Sequence, residues 1–115
     1  MIKINGKEYN LFFGMRFLEE IEANNQGELT ETLGYLLTTA IYDRNLLSIA
    51  KLVKAGICTN EEVLSADVDN YLEKEATDKE LDKLVSFLKS TAKACNATKK
   101  IMKQAEEMAK ANGFA

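Results

Sequence analysis

Apolar and polar positions alternate along the first thirteen residues and then change to helical spacing. Closing the opening segment at Asn5-Gly6 pairs Ile4 with Lys7, Lys3 with Glu8 and Ile2 with Tyr9. Asn-Gly is the strongest short hairpin signal, because a type I′ turn needs positive φ at both central residues. The register sets Ile2 and Tyr9 on one face and the opposite charges Lys3 and Glu8 on the other. Leu11 and Phe13 lengthen the apolar face. A two-stranded hairpin is marginal alone in water, so that face predicts a helical surface beneath it.

Gly14 ends the strand, and Met15, Phe17, Leu18 and Ile21 carry a first helix up to Asn24-Asn25-Gln26-Gly27. A second helix is predicted over 28–42, with Leu29, Leu33, Leu36, Leu37, Ala40 and Ile41 as a broad apolar stripe. Gly34 inside it is unfavourable by about 1 kcal/mol against alanine, and close approach of another backbone would account for it. Asn45 is the expected N-cap of a third helix bearing Leu46, Leu47, Ile49, Ala50, Leu52 and Val53, with Gly56 as its terminating C′ residue. Two capping boxes follow. Thr59-Asn60-Glu61-Glu62 opens a fourth helix with Val63, Leu64, Val68, Tyr71 and Leu72, and Thr77-Asp78-Lys79-Glu80 opens a fifth.

Between Asp78 and Asn112 no glycine or proline stops that fifth helix. Leu81, Leu88, Cys95, Met102 and Ala109 recur every seven positions, beside a row of Phe87, Ala94, Ile101 and Met108. Lys89, Lys93, Lys100, Lys103 and Lys110 take the other side. Unbroken, it would be about 52 Å long, against a diameter of roughly 35 Å for a compact domain of this length. Either it breaks at Asn96-Ala97-Thr98, where weak helix formers flank an alanine, or its end protrudes. Beyond Asn96 the apolar rows therefore have two readings, packing on the domain's own helices or contact with a partner.

Charge sharpens that contrast. Residues 1–87 hold nine basic and sixteen acidic side chains, net −7, whereas residues 88–115 hold six and two, net +4. A basic amphipathic arm on an acidic body suits docking on a second copy or on an acidic partner. The exposed strand edges of the hairpin are a further route to self-association.

Composition removes several classes of chemistry. There is no histidine, hence no Ser-His-Asp or Cys-His arrangement. None of the six glycines builds a phosphate-binding loop. Asp67-Val68-Asp69-Asn70 resembles the start of a calcium loop, but Leu72 stands at the glycine position and Asp78 at the twelfth, so a solvated helix face is the expected role. Cys58 and Cys95 lack metal-site spacing and read as free thiols of a reducing compartment. No apolar run reaches the roughly 18 residues of a membrane span, and the N-terminal segment has no secretion-signal pattern. Nucleic-acid binding is disfavoured by a pI near 5.1, two arginines and a lysine arm with no aromatic side chain among its lysines.

The order of parts carries a family resemblance. Tyr9-Asn10-Leu11-Phe12-Phe13-Gly14 leads into the Phe17-Leu18 helix; Leu47-Ser48-Ile49-Ala50-Lys51-Leu52-Val53-Lys54-Ala55-Gly56 follows; then come Thr59-Asn60-Glu61-Glu62-Val63, Tyr71-Leu72-Glu73 and the Leu81/Leu84/Leu88 helix with its lysine-rich tail. This resembles the tail assembly chaperones of long-tailed phages and prophages of Gram-positive bacteria. The middle helix departs from some relatives in being aliphatic where they carry larger aromatics. The resemblance implies a non-enzymatic protein of the bacterial host cytoplasm, absent from the mature virion. It also implies binding to the tape-measure protein, promotion of tail-tube assembly and, in many relatives, a longer frameshifted product.

The expected fold is α+β and predominantly α-helical, an N-terminal β-hairpin followed by about five helices, the last long and either protruding or broken. Residues 1–95 form the hairpin and helical body and 96–115 a basic amphipathic arm continuing the last helix, within a single domain. Expected partners are the tape-measure and tail-tube proteins and a second copy of the chain, with no cofactor, metal or membrane. Phe87, Ile101, Met102, Met108, Lys100 and Lys103 are the expected partner-binding residues. A structural virion component such as a head–tail connector, or a small nucleic-acid-binding regulator, are the alternative functions.

Overall fold

A computed structural model describes residues 2–4, 6–23, 27–57, 65–111 and 113. Strands β1 (Ile2–Ile4) and β2 (Lys7–Tyr9) pair antiparallel in the expected register, Ile2 opposite Tyr9, Lys3 opposite Glu8 and Ile4 opposite Lys7. Gly6 takes φ +77°, as the turn requires. Asn5 lies outside the described residues. Ile2, Ile4, Tyr9, Leu11 and Phe13 are buried while Lys3 and Glu8 face solvent, so the alternation does divide the ribbon into two faces.

Among the described residues six helices follow: α1 (Met15–Ala23), α2 (Leu29–Tyr42), α3 (Leu46–Ile57), α4 (Ser65–Asn70), α5 (Asp78–Ala94) and α6 (Lys99–Ala111). Together with the hairpin they make a predominantly helical α+β fold. Helix α2 lies centrally against α1, α3, α5 and α6, which its broad apolar stripe makes possible. At its end Arg44 takes φ +55°, and the Asp43 and Asn45 N–H groups both donate to the Thr39 carbonyl, closing the helix by a left-handed cap. Asn45 then caps α3 as expected, its Oδ1 accepting from the Ser48 N–H at 3.1 Å. A single π-helical turn, Tyr71–Glu75, extends α4 and buries Tyr71 and Leu72. The expected box at Thr59, with Val63 and Leu64, lies outside the described residues. The box at Thr77 is present: its Oγ1 accepts from the Glu80 N–H, and Glu80 accepts from the Thr77 N–H, each at 3.2 Å.

Two glycines behave differently from expectation. Gly34 has no atom within 4 Å of the place a Cβ would occupy, so no backbone approaches it. Gly34→Ala is accordingly expected to stabilise the protein by about 0.5–1 kcal/mol through helix propensity alone, read as a higher denaturant midpoint. Gly56 is not a left-handed terminator. It lies within α3, and a Cβ there would come 2.9 Å from Phe13 and 3.1 Å from Leu11. The crowded glycine is thus Gly56, and what approaches its Cβ position is side chains, not the backbone expected at Gly34.

Of the two readings for the long last helix, the structure takes the break. Helix α5 stops at Ala94, and α6 packs back on α5 and on α2. Thr98, fully buried, holds the corner: its hydroxyl donates to the Ala92 carbonyl at 2.8 Å, and its own carbonyl accepts from the Met102 N–H. The chain thus fits extents of 38 × 29 × 24 Å.

Candidate interaction surface

Helix α6 sorts its residues by angle. At about 100° per residue, Met102, Ala105 and Ala109 fall on one face, and all three are buried. Ile101 and Met108 lie along one flank of that face, Ile101 half-buried and Met108 64% exposed. Lys99, Lys103, Glu106 and Lys110 lie along the other flank, with Lys100 and Glu107 pointing further outward.

The corner at Thr98 brings the end of α5 beside the second flank. Lys93, Lys99, Lys100, Lys103, Glu106, Glu107 and Lys110 there line an open groove of about 550 Å³. Glu106 anchors it, accepting from Lys93 Nζ at 2.8 Å and facing Lys110 Nζ at 3.7 Å. The hydrogen bond from Lys93 holds the Glu106 carboxyl below its ordinary value, and the same bond raises the Lys93 ammonium. A lowered carboxyl contributes stability above the ordinary glutamate range and loses it as pH falls through the lowered value. Lys89, one turn before Lys93, sits 5.6 Å from the centre of the Tyr42 ring. Among the described residues no carboxylate pairs with Lys99, Lys100 or Lys103, so their charges are open to a ligand.

The six residues singled out by sequence do not form one patch. Lys100 and Lys103 meet in the groove, and Ile101 and Met108 share the opposite flank of α6. Met102, expected among the partner-binding residues, is fully buried. Phe87 lines a separate cleft of about 250 Å³ with Ile2, Lys3, Tyr71, Glu80, Lys83 and Leu84, between the hairpin and α5. Asp69 of the calcium-loop-like stretch pairs with Lys54 at 2.8 Å. Cys95 is a half-buried free thiol, and Cys58 lies outside the described residues.

Sequence reasoning missed several exposed apolar side chains: Phe12, Met15, Tyr35, Leu46 and Leu47. Leu46 and Leu47 border a notch of about 200 Å³ with Ala50, Asp69, Leu72 and Glu73. The apolar run of α3 is too wide for one core face, and that width was the available signal. Among the described residues no helix is long and apolar enough to cross a membrane.

Residues 1–107 match the family model described as phage tail assembly chaperone protein, TAC. The chain belongs to that family. No curated protein and no solved structure matches it. Membership places its work in the host during tail assembly and implies contact with tail proteins.

Proposed function

We propose that the protein binds the tape-measure protein, keeps that long apolar chain soluble, and promotes assembly of the tail-tube protein around it. It acts without catalysis, in the cytoplasm of the bacterial host, and leaves before the virion is complete. Residues 96–115 act as its basic arm, with the lysine groove on one flank of α6 and Ile101 and Met108 on the other as the client-facing surface. The observation that carries this reading is the family match across residues 1–107, which takes in the hairpin, the helical body and most of α6. An exposed methionine beside a half-buried isoleucine suits reversible contact with varied apolar clients, since methionine adapts its shape.

The test is co-expression with the tape-measure protein of the same phage or prophage. Tape-measure protein is expected in the soluble fraction, bound to this chain, and in the pellet without it. Insoluble client in both cases would remove the reading, and detection of the chain in purified particles would then favour a structural virion component. Met108→Glu, placed on an exposed position, is expected to reduce recovery of client without altering the fold.

A further inference from the structure

The geometry points to the lysine groove as a docking site for an acidic amphipathic helix of a tail protein. The inference rests on the client-binding role proposed above and names the chemistry of the client segment. Three observations lead to it.

The first is how the groove is walled. Among the described residues its lining side chains are all charged, so its apolar surface comes from the stems of lysines and glutamates. What it offers is ammonium groups on aliphatic stems, which cover a partner's backbone while their ends seek carboxylates. The second is spacing. Lys99, Lys103 and Lys110 stand on one side of α6 over about 16 Å of helix, with Lys100 beside them. Carboxylates at i and i+4 of a second helix laid along α6 match Lys99 and Lys103, with Lys100 in reach beside them, whereas an isolated anion would engage a single lysine.

The third is what is already neutralised. Glu106 occupies Lys93 and Lys110, and among the described residues no carboxylate pairs with Lys99, Lys100 or Lys103. Glu106 and Glu107 also place two carboxylates inside the groove. Evenly spaced phosphates of a nucleic acid would be repelled there, and among the described residues no arginine or aromatic side chain lines the groove to read or stack bases. A peptide tolerates the two glutamates because it can place a lysine, a glutamine or a gap opposite them. Charge complementarity therefore favours a protein helix over nucleic acid.

The test uses the full chain and the variant Lys99→Glu/Lys100→Glu/Lys103→Glu, with Lys99→Gln/Lys100→Gln/Lys103→Gln as a milder second variant; circular dichroism checks that each keeps its fold. The probes are two synthetic amphipathic peptides of about 20 residues, long enough to lie along α6, with the same leucine pattern. One has glutamate on its polar face and the other lysine; a duplex DNA of similar length is the third probe. The glutamate peptide is expected to bind, more weakly as salt rises. The glutamate triple variant is expected to bind it about tenfold more weakly, because three exposed ion pairs each add a fraction of the binding energy. The glutamine variant is expected to fall between. Equal binding of the lysine peptide, no binding of the glutamate peptide, or preference for DNA would each overturn the inference. So would a salt-sensitive oligomer of the chain alone that the triple variant abolishes while the glutamate peptide stays unbound, since the occupant would then be a second copy.

Co-expression separates this inference from the function it rests on. If the wild-type chain and the triple variant solubilise the tape-measure protein equally, the groove assignment falls and the function stands. If the wild-type chain fails to solubilise it, the function falls whatever the peptides do.

Discussion

Met102→Ala is expected to lower the unfolding free energy by about 2–4 kcal/mol, while Met108→Ala moves it by less than about 0.5 kcal/mol. Both residues are methionines of one helix, six positions apart, so composition and helix propensity are shared. Their surroundings are not. Met102 is fully buried where α6 packs on α2 and α5, with Ala105 and Ala109 along the same face, and its truncation opens a cavity that the small alanines cannot refill. Met108 is 64% exposed and loses little surface from water whichever side chain stands there. Chemical denaturation of the two variants beside the wild type measures the difference. Near-equal effects would mean that α6 is not docked as described. The same packing governs truncation experiments. Ending the chain at Lys93 would remove Thr98, Met102, Ala105 and Ala109 together, four buried side chains of a domain whose whole stability is roughly 6–17 kcal/mol. Loss of client binding by such a truncation would report unfolding, which is why charge reversal and Met108→Glu are the informative variants.

Local signals survived into the fold wherever the physics is local. The hairpin register follows from one dipeptide and a two-residue alternation, and the Asn45 and Thr77 caps each need partners within three residues. The break in the last helix was readable as a conflict between helix length and domain size, and Asn96 and Thr98 marked its place. Its consequence was not readable, because the direction in which α6 turns depends on the Thr98 hydroxyl reaching back to Ala92 and on the stripe of α2 waiting for Met102. For that reason the lysine groove was half visible. Lys100 and Lys103 are adjacent on any helical wheel, but Lys93 and Glu106 meet across a corner. Beyond Asn96 the row through Cys95 and the adjacent row through Phe87 both left packing and partner contact open, and the corner separates them, sending Met102 of the first inward and leaving Met108 of the second outside. Gly34 and Gly56 show the same limit: sequence flags a glycine within or at the end of a helix, and only packing says which one has a neighbour.

Phe13→Ala is expected to be the most damaging single change, lowering stability by about 3–5 kcal/mol. The Phe13 ring is fully buried and lies 4.2 Å from the Phe17 ring centre to centre, stacked at 26°. On its other side it fills the space left by Gly56 of α3, where the Phe12 N–H also donates to the Gly56 carbonyl at 3.3 Å. One ring therefore fixes the chain leaving the hairpin, the first turns of α1 and the last turns of α3. The contact with Gly56 gives the prediction its specific test. Gly56→Ala improves helix propensity but drives a methyl against a ring with no room to retreat, so it is expected to destabilise by about 1–3 kcal/mol. Phe13→Leu removes the ring atoms nearest that methyl. In its background Gly56→Ala is expected to do less harm by about 1 kcal/mol, a coupling within the range for residues in contact. Strict additivity of the two changes would show that Gly56 is small for some reason other than the phenylalanine beside it.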